Sequence, residues 1–192
     1  MLPGLTMTQA IPKPLTLNNF LTLPETTPAS EFIDGKITQK PIPKGKHSRL
    51  QLKLCNTINA VTEGSQIAYA FPELRCSFGT RSIVPDIAVF RWQNIALDDD
   101  GEPLDNVTRP PDWTIEILSP DQAQNRVVNN IVYCLQYGCR LGWLIDPADR
   151  SVAIYQPDQL PTFHEGPSPL IVPETIALAI TAEQLFNLLK MN

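Results

Sequence analysis

Nowhere in its 192 residues does the chain hold a run of eighteen apolar residues, so no transmembrane helix is expected. The opening stretch, MLPGLTMTQAIPKPLTL, lacks the basic start and long apolar centre of a secretory signal. A loose N-terminus over residues 1–14 is expected, with Met7 as an alternative start. No CxxC pair occurs, and no histidine stands at zinc-ligand spacing from Cys55, Cys76, Cys134 or Cys139. These four fall in or near apolar patterns and read as small reduced core residues, which suits a reducing cytoplasm. No internal repeat is visible. Charged residues make up 18% and hydrophobic ones 43%, which excludes wholesale disorder and leaves enough apolar surface for one real core.

Acidic residues are scarce in the first half. Residues 1–95 carry a balance of +4 and residues 96–192 one of −9, for a net charge of −5. From Lys36 to Lys53 the chain has Lys36, Lys40, Lys44, Lys46, Arg49 and Lys53 and no acid. Such a run is either a phosphate-tracking surface or a solvated face.

Periodicity gives a mixed architecture. A short helix is expected over 15–24. A hairpin over 31–41 turns at Asp34-Gly35, and a helix over 44–64 carries Leu50, Leu54, Ile58 and Val61. Strands follow near 66–70, 73–78 and 83–91, then a polar loop over 97–111 and a buried strand over 112–120. Residues 121–138 place Val128, Ile131, Val132 and Leu135 at helical spacing and close on Gly138. Two strands over 140–147 and 151–157, one near 170 and a helix over 181–190 complete an α/β or α+β fold, a mixed sheet with helices on it.

Two carboxylates stand out against this pattern. Asp86 lies within VPDIAVF and Glu116 within TIEIL, both otherwise apolar. A buried, unpaired carboxylate costs several kcal/mol unless it meets a cation or takes up a proton. Singly, each has an ordinary explanation: Asp86 capping a turn after Pro85, Glu116 pairing with Arg81 or Arg126. Together, if their strands are neighbours, they can project toward one point, and Mg²⁺ is the cation such a pair suits. Glu31 is a third acid, opening the hairpin before the basic run.

The pieces EFIDGKI (31–37), HSRLQLKL (47–54), SIVPDIAVF (82–90), TIEILSP (114–120) and GWLIDP (142–147) together resemble one branch of the PD-(D/E)XK nucleases, the Uma-type restriction endonuclease family. The resemblance covers roughly residues 15–190 as a single domain. It implies a restriction-endonuclease-like four- or five-stranded mixed β-sheet flanked by helices, and Mg²⁺- or Mn²⁺-dependent cleavage of DNA. By position it implies Asp86, Glu116 and the Ile117 carbonyl as metal ligands and Glu31 as an auxiliary acid. His47 would stand at the mouth of the site, or simply exposed at a helix start. A homodimer follows from the same resemblance, because two strands must be cut. The basic residues Lys36, Lys40, Lys44, Lys46, His47, Arg49 and Lys53 would contact the DNA backbone.

The pattern departs at the catalytic lysine. Its position two residues after Glu116 holds Leu118, and the branch's other position, eight residues before Gly138, holds Asn130. The branch also tends to have Tyr where Cys134 stands and Glu near Leu141. Asn130, or Arg126 one turn earlier, is expected to take the lysine's place. The alternative is a catalytically disabled relative that serves as a DNA-binding or protein-interaction module.

Overall fold

The computed structural model describes residues 15–120 and 122–191. The expected loose N-terminus lies outside the described residues. The fold is a mixed α+β domain with two sheets flanked by helices.

The described residues open with a short helix α1 (Leu17–Leu21), capped by Thr16, and the hairpin of β1 (Ser30–Ile33) and β2 (Lys36–Gln39). Its two-residue turn puts Asp34 at φ 50° and Gly35 at φ 79°, the left-handed pair that matches strand twist. Helix α2 (Gly45–Thr62) follows, then β3 (Ala68–Pro72), β4 (Cys76–Phe78), β5 (Arg81–Ile83), β6 (Ile87–Arg91) and β7 (Trp113–Ile117). Helix α3 (Gln124–Gln136) leads to β8 (Leu141–Asp146), β9 (Ser151–Tyr155), β10 (Thr162–Glu165) and α4 (Ala182–Asn187).

The main sheet has six strands in the order β10-β9-β8-β7-β6-β3, one wider than the family resemblance implies. Among the described residues its one parallel pair, β7 with β8, is joined by α3 as the crossover helix. A second sheet runs β2-β1-β5-β4. The larger core lies on one face of the main sheet, where Leu50, Leu54 and Ile58 of α2 and Leu185 and Phe186 of α4 meet Ile87, Val89, Trp113 and Ile115. Side chains alternate, so Ala88 and Phe90 point to the other face, against Phe78, Tyr133 and Cys134. The four cysteines are buried free thiols, as their apolar settings imply. Among the described residues no helix is long and apolar enough to cross a membrane.

Three elements differ from expectation. The strand foreseen over 83–91 is two strands in two sheets, because Pro85 has no N–H for a ladder and the chain changes sheets at Pro85-Asp86. The residues near 170 form only an isolated bridge between Pro169 and Thr181, while β10 pairs with β9 instead. On α3 the inward face is Val127, Asn130, Ile131 and Cys134, turned from the apolar stripe so that Val132 is 37% exposed.

Candidate active site

The register of the sheets brings the acids together. Strand β6 pairs with β7 antiparallel, with Ile87 opposite Ile115, and one further step sets Asp86 opposite Glu116. Both are buried. The Ile117 N–H donates to Asp86 Oδ2 at 2.7 Å. On the hairpin, Glu31 is the cross-strand partner of Thr38, and β1 also pairs with β5, so Glu31 reaches the same point from the second sheet. There its Oε1 accepts from the Val84 N–H at 2.9 Å. Glu31, Asp86 and Glu116 therefore come from three elements to the place where the chain crosses between sheets.

Helix α2 secures Asp86 from the other side. His47 Nε2 lies 3.0 Å from Asp86 Oδ2, and one turn later Gln51 donates to the Asp86 carbonyl at 2.7 Å. His47 is thus buried in the site and not exposed at a helix start. Its Nδ1 has no partner among the described residues, and neither has Oδ1 of buried Asn130. Asn130 projects from α3 toward Glu31, with its amide nitrogen 3.4 and 3.5 Å from the two carboxylate oxygens.

The cation at Asp86 is Lys40. Its Nζ donates to Asp86 Oδ1 and to the Val84 carbonyl, both at 2.6 Å, and lies 3.9 Å from Glu116 Oε2. The residue follows β2, its N–H bonded to the Ala29 carbonyl, and Pro41 ends the pairing. Two residues on from Thr38, Lys40 falls on the face that carries Glu31.

One lysine does not neutralise three acids, and the carboxylates divide. Burial works against an ionised Asp86, but Lys40 and His47 outweigh it and hold the carboxyl at about 2. Burial, reinforced by Asp86 and Glu31, outweighs Lys40 at Glu116 and pushes that carboxyl well above its ordinary range. Burial likewise raises Glu31, with Lys40, the Val84 N–H and Asn130 offsetting it in part. At Lys40 burial favours the neutral amine, yet Asp86, Glu116 and Glu31 together prevail and raise the ammonium above the lysine range. Folding therefore favours the protonated forms of Glu116 and Glu31, beside an ionised Asp86 and a charged Lys40.

The remaining expected site residues are scattered. Arg126 lies one turn before Asn130 on α3 but is exposed where Asn130 is buried, and no hydrogen bond or ion pair joins it to the acids among the described residues. Arg49 is committed elsewhere: its guanidinium donates to the Leu188 and Lys190 carbonyls beyond α4. Lys36 and Lys53 are exposed, as are Lys44 and Lys46 at the start of α2. A cleft of about 340 Å³ reaches Asp86 and is lined also by Pro28, Lys40, His47 and Gln122. A second, of about 480 Å³, shares His47 and Gln122 and is lined also by Lys44, Lys46 and Ser119.

The chain is similar to known proteins. The family profile Uma2, described as "Putative restriction endonuclease", matches residues 17–184. The chain belongs to this Uma2 family. The crystal structure of a "putative nuclease" from Anabaena variabilis is 48% identical, with a TM-score of 0.90 over 92% of this chain and 100% of that one. No curated protein matches. For a Uma2 member, a divalent metal is the cation to test against the donor set. Among the described residues no three Asp, Glu, His or Cys side chains are grouped closely enough to hold an ion by themselves. Mg²⁺, however, is held by one or two carboxylates with carbonyl and water oxygens, and Asp86, Glu116 and the Ile117 carbonyl would make up such a set. A divalent ion would favour the ionised forms of Glu116 and Glu31, which burial disfavours. The residues fit the ion.

Proposed function

We propose that the protein is a metal-dependent DNA endonuclease, with Asp86, Glu116 and the Ile117 carbonyl holding Mg²⁺ or Mn²⁺ and Glu31 in support. The observation that carries this reading is the convergence of three buried acids beside one lysine, with Asp86 and that lysine lining a cleft. A bound ion would supply a water of lowered pKa and positive charge at the scissile phosphate.

The chain's residues supply position. The Ile117 N–H and His47 hold one carboxylate oxygen of Asp86, and Gln51 holds its backbone carbonyl. Asn130 orients Glu31. In the hydrolysis, a water oxygen bonds to phosphorus and the bond from phosphorus to the leaving deoxyribose oxygen breaks. One proton leaves the water to solvent, and the leaving oxygen takes one from solvent. Lys44 and Lys46, at the wall of the second cleft, are placed to track the DNA backbone, with little reading of bases. A homodimer would present two such sites, one for each strand.

Plasmid DNA is the test. With Mn²⁺ the protein should convert supercoiled plasmid to nicked circles, and chelation or Glu116→Gln should abolish it. Nicking that survives in Glu116→Gln would refute the assignment. Metal binding by a protein that leaves all DNA intact would establish the disabled relative.

A further inference from the structure

A nuclease of this class uses an ammonium to stabilise charge at the phosphate, and Leu118 cannot serve. Asn130 reaches the site but carries no charge. Among the described residues Lys40 is the one lysine brought among the acids, and it arrives from the hairpin that also delivers Glu31.

We propose that Lys40 is the catalytic ammonium of this protein, relocated to the end of β2, and that it donates to an oxygen of the scissile phosphodiester. The inference rests on the nuclease reading. Its geometry is specific. An ammonium has three protons. Two go to Asp86 and the Val84 carbonyl at 2.6 Å, while Glu116, at 3.9 Å, lies beyond hydrogen-bond reach. The third proton remains for an oxygen arriving in the cleft that Lys40 itself lines. The two bonds hold the head group still, so little ordering is left for the moment of reaction. A purely structural counter-ion would serve as well sealed off from the cleft.

The pairing with Asp86 has a second consequence. Lys40 occupies one oxygen of a proposed metal ligand and places a positive charge where the ion must come. It therefore weakens metal binding while promoting the chemistry, and removing it separates the two effects.

The test compares wild type, Lys40→Met and Lys40→Met/Asn130→Lys. Mn²⁺ affinity is read by calorimetry, folding by circular dichroism and nicking on supercoiled plasmid. Lys40→Met should bind Mn²⁺ at least threefold more tightly and nick at least a hundredfold more slowly. The double variant returns an ammonium beside Glu31, from the helix position the family pattern uses, and should regain at least tenfold of that loss. It also keeps a cation in the cluster if the single variant fails to fold. A folded Lys40→Met that nicks within threefold of wild type would overturn the proposal. So would loss of Mn²⁺ binding along with nicking, which would make Lys40 a scaffold for the acids, or a folded double variant as inactive as Glu116→Gln. Wild type that nicks nothing would remove the nuclease reading itself, and is recognised because all the proteins then behave alike.

Discussion

Neutralising Asp86 and neutralising Glu116 should change stability in opposite directions, although the two face each other across one strand pair. Asp86 is held at about 2 against an ordinary 3.8. Its ionised form is therefore favoured by folding, and the interval is worth about 2 kcal/mol at neutral pH. That contribution is present above pH 3.8 and is lost as pH falls toward 2. Glu116 is raised, so folding favours its protonated form. Its contribution is complete below the ordinary value of 4.5 and is lost as pH rises through the raised one. In metal-free buffer at pH 7.5, Asp86→Asn should then cost about 2 kcal/mol in urea unfolding. Glu116→Gln should gain roughly 1–4 kcal/mol, the range seen when strained buried charges are replaced by neutral groups. At pH 4 the advantage of Glu116→Gln should largely vanish. A Glu116→Gln protein less stable than wild type at pH 7.5 would refute the reasoning, because the carboxylate would then be bound into the fold and not short of a cation.

Other outcomes follow from single contacts. A methyl added at Gly142 would lie 2.3 Å from Ile131 Cγ2, so Gly142→Ala should destabilise by about 1–3 kcal/mol by lifting α3 from β8. Ile131→Ala removes that atom, and a double-mutant cycle by urea unfolding should show the two changes costing less together than their sum. Arg49→Met should cost about 1–3 kcal/mol and speed proteolysis beyond α4, since the carbonyls of Leu188 and Lys190 lose a charged donor. Mn²⁺ at a hundred times its dissociation constant should stabilise wild type by about 2.7 kcal/mol in thermal unfolding, and Glu116→Gln by much less.

Much of the site is legible in the chain, and the part missed has a physical cause. Two acids in apolar strands predict a shared cation, and the register of β6 with β7 delivers them to one place. The hairpin register was readable too: a turn at Asp34-Gly35 sets Glu31 opposite Thr38, and Lys40 follows on that face. Embedded in a run of six basic residues, Lys40 read as one of a surface set, although its neighbours are exposed and it is not. Charge runs report composition, whereas faces report direction. On α3, apolar spacing pointed to Val128 and Val132, but the sheet selects the adjacent stripe and carries Asn130 inward. The tie of Arg49 to residues 188 and 190 joins segments distant in sequence, and no local pattern announces it.

Anomalous diffraction from crystals grown with Mn²⁺ tests the central claim most directly. The account predicts one strong peak within coordination distance of Asp86, Glu116 and the Ile117 carbonyl, beside Lys40. An empty acid cluster, with Lys40 still closed on Asp86 at saturating Mn²⁺, would contradict it.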